Sequence, residues 1–312
     1  MDTCKEHIRL ADPVHDTDAE WEKWGSRDPY FGVLTHDRFR STALTAAAYN
    51  DFFESGRLHV NQVLASCRRH FGIAFDPQRV LDFGCGVGRV LIPFSEVCAT
   101  VVGTDVSASM LAEARRNCAR FGVTNAELLL ADDTLRAVEG PFDLVHSSIV
   151  LQHIESERGL DLIARLVERI APGGGAAIHV TYGRDYGRCR YGRPIPDAPE
   201  PLPPPGLYRR VRSLVRSVIR PPVQAAEPPR DTGGDPVMMM YHYDLSRIAY
   251  IFHAAGATEF HAEFTDHGGE LGVNLFARTG VRNAEPHEQH VESTGAIRCE
   301  PAHSINTTST YP

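Results

Sequence analysis

The chain lacks the marks of several functional classes. Its seven cysteines, Cys4, Cys67, Cys85, Cys98, Cys118, Cys189 and Cys299, nowhere stand as C-x-x-C, so neither a zinc site nor a redox pair is indicated. Scattered thiols of this kind suit a reducing compartment. No apolar run reaches the roughly 18–20 residues of a membrane span. Met1–Leu10 mixes Asp2, Lys5, Glu6 and Arg9 without an apolar stretch, so it does not read as a secretory leader, and a cytoplasmic location is expected. Positive charge is in deficit: 32 Lys and Arg against 40 Asp and Glu leave a net charge of −8. Sequence-independent nucleic-acid binding needs the opposite balance, so no nucleic-acid partner is expected. No metal site is expected either.

What is present is an ordered alternation. Residues 1–75 read as a helical extension. Phe52, Phe53, Val60, Val63, Leu64 and Cys67 recur at helical spacing over 43–71, and Ser55-Gly56 reads as a break between two helices. Trp21, Trp24, Tyr30 and Phe31 read as a lid, as part of the core, or as a disordered arm. From Arg79 short apolar runs alternate with helical stretches. Strands are expected at Val80–Phe83, Thr100–Asp105, Glu127–Ala131, Phe142–Ile149 and Ala176–Thr181. Helices are expected at Arg89–Val97, Ser107–Phe121 and Leu160–Ile170. Ser107 is a natural N-cap, Gly122 a stop, and Pro172-Gly173-Gly174-Gly175 closes the third helix. Such alternation implies a parallel sheet covered on both faces.

Residues 183–236 interrupt the pattern. Twelve of the 21 prolines fall between Pro194 and Pro236, which forbids regular structure over most of the segment. Within it, Leu207–Arg220 reads as an amphipathic, arginine-rich helix. Two uses suggest themselves, a cap over an acidic substrate or a membrane-surface contact, beside simple packing on its own domain. Asp244 then caps a helix over Leu245–Ala255, and Thr258–Thr265 and Val273–Arg278 read as strands joined through His267-Gly268-Gly269. The tail 281–312 is polar and expected to be disordered.

Residues 80–89 read Val-Leu-Asp-Phe-Gly-Cys-Gly-Val-Gly-Arg, a strand that runs into Gly84, Gly86 and Gly88 and then a helix. Glycine permits the sharp turn and close ligand approach. The third glycine comes one residue early for a dinucleotide fingerprint, and Asp82 would repel a pyrophosphate. No Gly-Lys-Ser/Thr follows, which excludes a P-loop. Asp82 suits a ligand that is cationic on that side. Asp105 ends the second strand, where a carboxylate can accept from both hydroxyls of a ribose. Asp132 and Asp133 end the third strand, where an acid can meet an adenine amino group or cap a helix.

The ordered set Asp-Phe-Gly-Cys-Gly-Val-Gly, Gly-Thr-Asp-Val-Ser, Ala-Asp-Asp, Phe-Asp-Leu-Val-His-Ser-Ser-Ile-Val-Leu-Gln-His-Ile and Ile-Ala-Pro-Gly-Gly resembles the class I S-adenosylmethionine-dependent methyltransferases over about 78–182, with weaker support from 243–280. The resemblance implies an α/β, Rossmann-like, doubly wound seven-stranded sheet with its last strand antiparallel. The domain would span 76–182 and 237–280, with 1–75 as extension and 183–236 inserted after strand five. It implies S-adenosylmethionine as cofactor and S-adenosylhomocysteine as product. Gly84, Cys85, Gly86 and Gly88 would pass under the methionine part, with Cys85 a small filler rather than a nucleophile. Asp82 would face the amino end, Asp105 the ribose, Val106 the adenine ring, Asp132 with Asp133 the adenine amino group, and Ser147 the methionine part and substrate.

Methyl transfer from a sulfonium is an in-line displacement that asks the protein for alignment and dryness. A base is needed where the acceptor has a proton to lose. His153, Tyr182 and His242 are the candidates, with Tyr241 and His267 behind them. The expected partner is a small molecule accepting at O or N, less readily at C. A non-methylating enzyme that cyclises the aminocarboxypropyl arm, a noncatalytic binding protein and a nicotinamide dehydrogenase stay open as alternatives. The oligomeric state is open too, a homodimer among the options.

Overall fold

The computed structural model describes residues 16–184, 189–190, 193–194, 235–266 and 270–280, all within one unit spanning 1–281. The tail 281–312, His267 and the arginine-rich stretch 207–220 lie outside the described residues. Seven strands form the sheet: β1 Arg79–Phe83, β2 Thr100–Asp105, β3 Ala126–Leu130, β4 Phe142–Ser147, β5 Ile170–Arg184, β6 Ala257–Asp266 and β7 Glu270–Thr279. Their order is β3-β2-β1-β4-β5-β7-β6. The first five pair in parallel, and β7 is antiparallel to both its neighbours. The chain therefore winds outward from β1 in one direction and from β4 in the other. The crevice at their carboxyl ends is where open α/β sheets take ligands.

Each inner strand is apolar on both faces because both are covered. Val80, Val101, Leu144, Ala177 and Phe276 face one core, beneath α3 (Ala46–Phe71), α4 (Leu91–Val97) and α5 (Ala108–Phe121). Leu81, Val102, Val145, Ala176 and Leu275 face the other, beneath α6 (Ser156–Val167) and α7 (Leu245–Ala254). Local chemistry fixes the helix ends. The Ser107 hydroxyl accepts from Met110 N at 3.0 Å, and α5 stops at Gly122 with φ +69°. The Asp244 side chain caps α7 through Ser246 N at 2.9 Å.

Several boundaries differ from the sequence reading, and at two of them the cause is local. The third expected helix begins earlier, at Ser156, because Glu155 accepts from the backbone N–H of Glu157 and Arg158. It ends at Val167, and Pro172-Gly173-Gly174-Gly175 lies inside β5. There the register with β4 jumps, from Phe142 opposite Ile170 to Leu144 opposite Gly175, an irregularity that accommodates proline in a strand.

Nor does Ser55-Gly56 break the helix. α3 runs unbroken for 26 residues from its Thr45 cap. Gly56 instead permits contact, since a Cβ there would lie 1.9 Å from the Arg89 carbonyl oxygen. Helix propensity alone favours Ala over Gly by about 1 kcal/mol. We expect the reverse sign for Gly56→Ala, a loss of about 1–3 kcal/mol from overpacking, read by denaturant unfolding. A stabilised variant would refute the tight contact.

The N-terminal segment packs over the carboxyl ends. α1 (Thr17–Arg27) and α2 (Pro29–Val33) bury Trp24 and Tyr30. Glu22 accepts from both Ser107 and Ser109 hydroxyls, at 2.7 and 2.5 Å. Tyr30 donates within 2.6 Å of Glu113 and 2.9 Å of the Asn117 carbonyl, and the Asn117 amide holds the Val87 carbonyl in the glycine turn at 2.9 Å. Arg158 binds Asp18 from the other side. The returning segment is strapped to the same helix by Val237 N to Glu20 at 2.8 Å.

Candidate active site

A cavity of about 420 Å³ lies over the switch point, within the range of small-ligand sites. Its floor is the glycine turn. Gly84, Gly86 and Gly88 have φ of +76°, +52° and +87°, a region other residues enter at a cost. The turn is closely covered. A Cβ on Gly84 would lie 2.3 Å from Val150, and one on Gly86 would lie 2.7 Å from Val33 of α2. Ile149, also on the wall, has φ +61°, a strained conformation for a β-branched residue.

Asp105 closes the floor. Its two oxygens accept from Gly86 N and Ser107 N, each at 2.9 Å. Desolvation raises its pKa to about 6, against the pull of those two hydrogen bonds, and the negative charges of Asp82 and Glu22 add to the rise. Val106 lines the cavity beside it. The carboxylate is held in place by the turn it faces, with lone-pair capacity left for a ligand donor.

His153 also lines the cavity, at the end of a 3₁₀ turn, Leu151–His153. Its Nδ1 lies 2.8 Å from the Met239 carbonyl. A carbonyl only accepts, so Nδ1 carries the proton and Nε2 presents a lone pair. The Gln152 amide lies 3.2 Å from Nε2, and Trp21 meets the ring edge-on at 5.0 Å. Burial holds this imidazole below its ordinary pKa despite the Met239 contact.

Other sequence candidates sit off the cavity wall. Asp82 is buried beneath it: Oδ1 is 2.8 Å from His146 Nδ1, and Oδ2 has no partner. Cys85 is buried, its thiol pushed well above the usual range by burial, with Asp105 and Asp82 adding to the rise. Gly88 faces Ile92 and Ala114, and Ser147 is buried while Ser148 takes the wall. Asp132 accepts from Thr134 and Arg136, and Asp133 pairs with Arg158 at 2.6 Å. Both acids are exposed and engaged in their own turn; Ala131 is the residue of that segment that lines the cavity. Tyr182 packs edge-on against Phe264. His242 is buried, 3.2 Å from Glu270, and Tyr241 donates its backbone N–H to Gln152.

The structure adds wall residues to which the sequence reading gave no site role: Arg89, Met110, Met238, Met240 and Glu270. The methionines left a signal. The chain has five, and three of them line this one cavity. Thioethers give an adaptable apolar wall. Among the described residues no group of three or more His, Cys, Asp or Glu is arranged to hold a metal ion, and no helix is long and apolar enough to cross a membrane.

A family profile described as a methyltransferase domain matches residues 80–174. An uncharacterized methyltransferase of Synechocystis sp. is 35% identical over 103 residues, 33% of this chain and 47% of that protein. A trans-aconitate 2-methyltransferase of Deinococcus radiodurans is 32% identical over 114 residues, 36% of this chain and 41% of that protein. The matched stretch thus spans less than half the length of these curated relatives. A crystal structure of magnesium protoporphyrin IX methyltransferase from Synechocystis with bound SAH overlays with TM-score 0.49 at 19% identity, covering 83% of this chain and all of that one.

Proposed function

We propose, because this chain belongs to the class I S-adenosylmethionine-dependent methyltransferases, that its cavity binds S-adenosylmethionine and delivers the methyl group to an O or N atom of a small molecule. The observation that carries this reading is the pairing of Asp105 with the glycine turn on one cavity floor. A carboxylate so fixed accepts a vicinal diol without reorganising, and Gly84 and Gly86 line the same cavity beside it. Val106, Met110 and Ala131 supply an apolar slot beside it for a flat ring.

The remaining wall, with Gln152, His153, Met238, Met240 and Glu270, then belongs to the acceptor. The carbon of a sulfonium is already activated, so alignment and exclusion of water supply most of the rate. His153, which lines the cavity with its Nε2 unprotonated beside the Gln152 amide, is the base for an acceptor that loses a proton. Tyr182 and His242 stand off the cavity wall in this structure, which favours His153 among the three.

Titration calorimetry with S-adenosylhomocysteine, with NADH as control, tests the cofactor. Micromolar binding of the first and none of the second is the expected result; the reverse would end the reading. Product analysis tests the reaction. S-adenosylhomocysteine formed one-for-one with a methylated acceptor supports methyl transfer, whereas methylthioadenosine would mean cleavage of the aminocarboxypropyl arm.

A further inference from the structure

β6 (Ala257–Asp266) ends the sheet order, and among the described residues only β7 pairs with it. Its outer edge offers a row of backbone N–H and C=O groups to a further strand. Edge strands are ordinarily guarded by shortness, by lysine or by proline. β6 has none of these. It runs for ten residues, Ala-Thr-Glu-Phe-His-Ala-Glu-Phe-Thr-Asp, against a usual length of about five or six. Its one irregularity lies at the start, between Ala257 and Glu259.

Its side chains alternate between two faces. Glu259, His261 and Glu263 are half-buried on the α3 side. There Glu263 accepts from the Ser66 hydroxyl and pairs with Arg69 and His70, and Glu259 lies 3.7 Å from Arg278. Phe260, Ala262 and Phe264 are exposed on the α7 side, the two rings by 40% and 67%. Phe260 lies against Phe252 of α7, and Phe264 meets Tyr182 edge-on, each at 5.6 Å. Both rings are thus held at fixed places on the sheet while much of their surface faces outward.

A two-fold axis perpendicular to the sheet pairs a strand antiparallel with its own copy and keeps every side chain on its face. Such an axis passes through one residue, which then opposes itself. At Ala262 it sets Phe260 opposite Phe264 on both sides of the axis, an aromatic cross-strand pair made twice. On the other face it sets His261 opposite Glu263, and Glu259 opposite Thr265. Thr258 faces Asp266, so no acid opposes an acid. The neighbouring registers fail. An axis at His261 puts Glu259 against Glu263, and an axis at Glu263 puts that carboxylate against itself. Both also separate the phenylalanine pairs. The strand is therefore complementary to itself in charge and in ring placement, in the register that pairs nearly its whole length.

We infer that β6 pairs with β6 of a second copy of this chain, antiparallel about Ala262, so that one sheet runs through both molecules. The interface does not depend on what the cavity binds. One strand and two rings from each copy make a contact that is small beside the roughly 1,600 Å² of a standard interface, so the dimer should dissociate on dilution.

The test is sedimentation equilibrium of the full chain under reducing conditions, over a range of concentrations. Wild type should associate reversibly to twice the monomer mass. Ala262→Lys sets two ammonium groups face to face at the axis, and Ala262→Glu two carboxylates. Each should weaken association by at least about tenfold, like charges directly opposite being destabilising. An equimolar mixture of the two variants should recover the dimer, because lysine then opposes glutamate. Ala262 is exposed, so both variants should melt close to wild type in dilute solution. If either does not fold, Ala262→Cys decides. Opposed residues in an antiparallel pair have Cα atoms about 4.5–5.5 Å apart, within reach of a disulfide. Mild oxidation should then give a covalent dimer beyond any that wild type forms, and Thr258→Cys, which faces Asp266, should not. A wild type that stays monomeric up to roughly 100 μM overturns the inference, whatever else covers the edge. So does a dimer that survives Ala262→Lys, a mixture that fails to associate, or an Ala262→Cys chain that does not cross-link.

Discussion

Asp105→Ala is expected to weaken S-adenosylhomocysteine binding by about 100- to 10,000-fold, two charge-assisted hydrogen bonds of roughly 1.5–3 kcal/mol each being lost together. The fold should survive. In the free protein the carboxylate accepts from Gly86 N and Ser107 N, and losing those contacts costs about 1 kcal/mol each. Against that stands relief of a desolvated charge. The folded-state pKa of about 6 lies above the ordinary aspartate value near 3.9, so the ionised group opposes folding by roughly 3 kcal/mol at neutral pH. The two effects nearly offset, and Asp105→Ala should melt close to wild type at pH 7.

Its pH dependence separates them. An acid whose pKa is raised on folding contributes stability fully below its unfolded pKa, and that contribution is lost as pH rises through the folded one. Wild-type stability relative to Asp105→Ala should therefore fall between about pH 4 and 6 and level off above. Affinity runs the other way, because hydroxyl donors favour the ionised form. Below pH 6 the wild type should lose S-adenosylhomocysteine affinity by up to about tenfold per pH unit, and the variant should not. Near-wild-type affinity in Asp105→Ala at pH 7 would remove this residue from the site.

The sheet was legible because β1 and β2 are short apolar runs that end beside Gly84 and at Asp105, and because Ser107, Gly122 and Asp244 carry their capping chemistry locally. Where the reading failed, the deciding contact was distant in sequence. Gly56 reads locally as a break, yet what it serves is the Arg89 carbonyl, on another element. The floor of the site was legible for the same reason as the strands: Gly84, Gly86, Asp105 and Val106 lie at the ends of two adjacent strands. Asp132 and Asp133 carried two readings, and the structure engages both with neighbours at the surface. The acceptor wall was not legible. The Met239 carbonyl reaches His153 from 86 residues away, past the proline-rich insertion, bringing Met238 and Met240 to the same cavity, and nothing periodic announces that pairing. Arg89 looked like the first residue of a helix; its place on the cavity wall emerges only in the fold.

His153→Asn should lower kcat by about 100- to 10,000-fold for an acceptor that loses a proton, the usual span for a general base. S-adenosylhomocysteine affinity should hold within about threefold, since Asp105 and the glycine turn are untouched. The Met239 carbonyl fixes the wild-type tautomer, so Nε2 is the basic atom before any acceptor arrives. Burial depresses this imidazole from its ordinary value. It therefore stays unprotonated further into acid than a free histidine, and wild-type kcat should persist below pH 6.5 before falling. In His153→Asn that acid limb should vanish along with the rate. The stability sign follows the same shift. A histidine whose pKa is depressed on folding favours the folded state above its unfolded pKa and loses that contribution as pH falls. Removing it should make the protein less sensitive to mild acid. Two outcomes count against the base: full kcat in His153→Asn, or an unchanged acid limb at reduced rate. Either would point to an acceptor already deprotonated in solution, such as a carboxylate, for which this cavity would need only Arg89 or Gln152 to hold it and the methyl carbon to meet it in line.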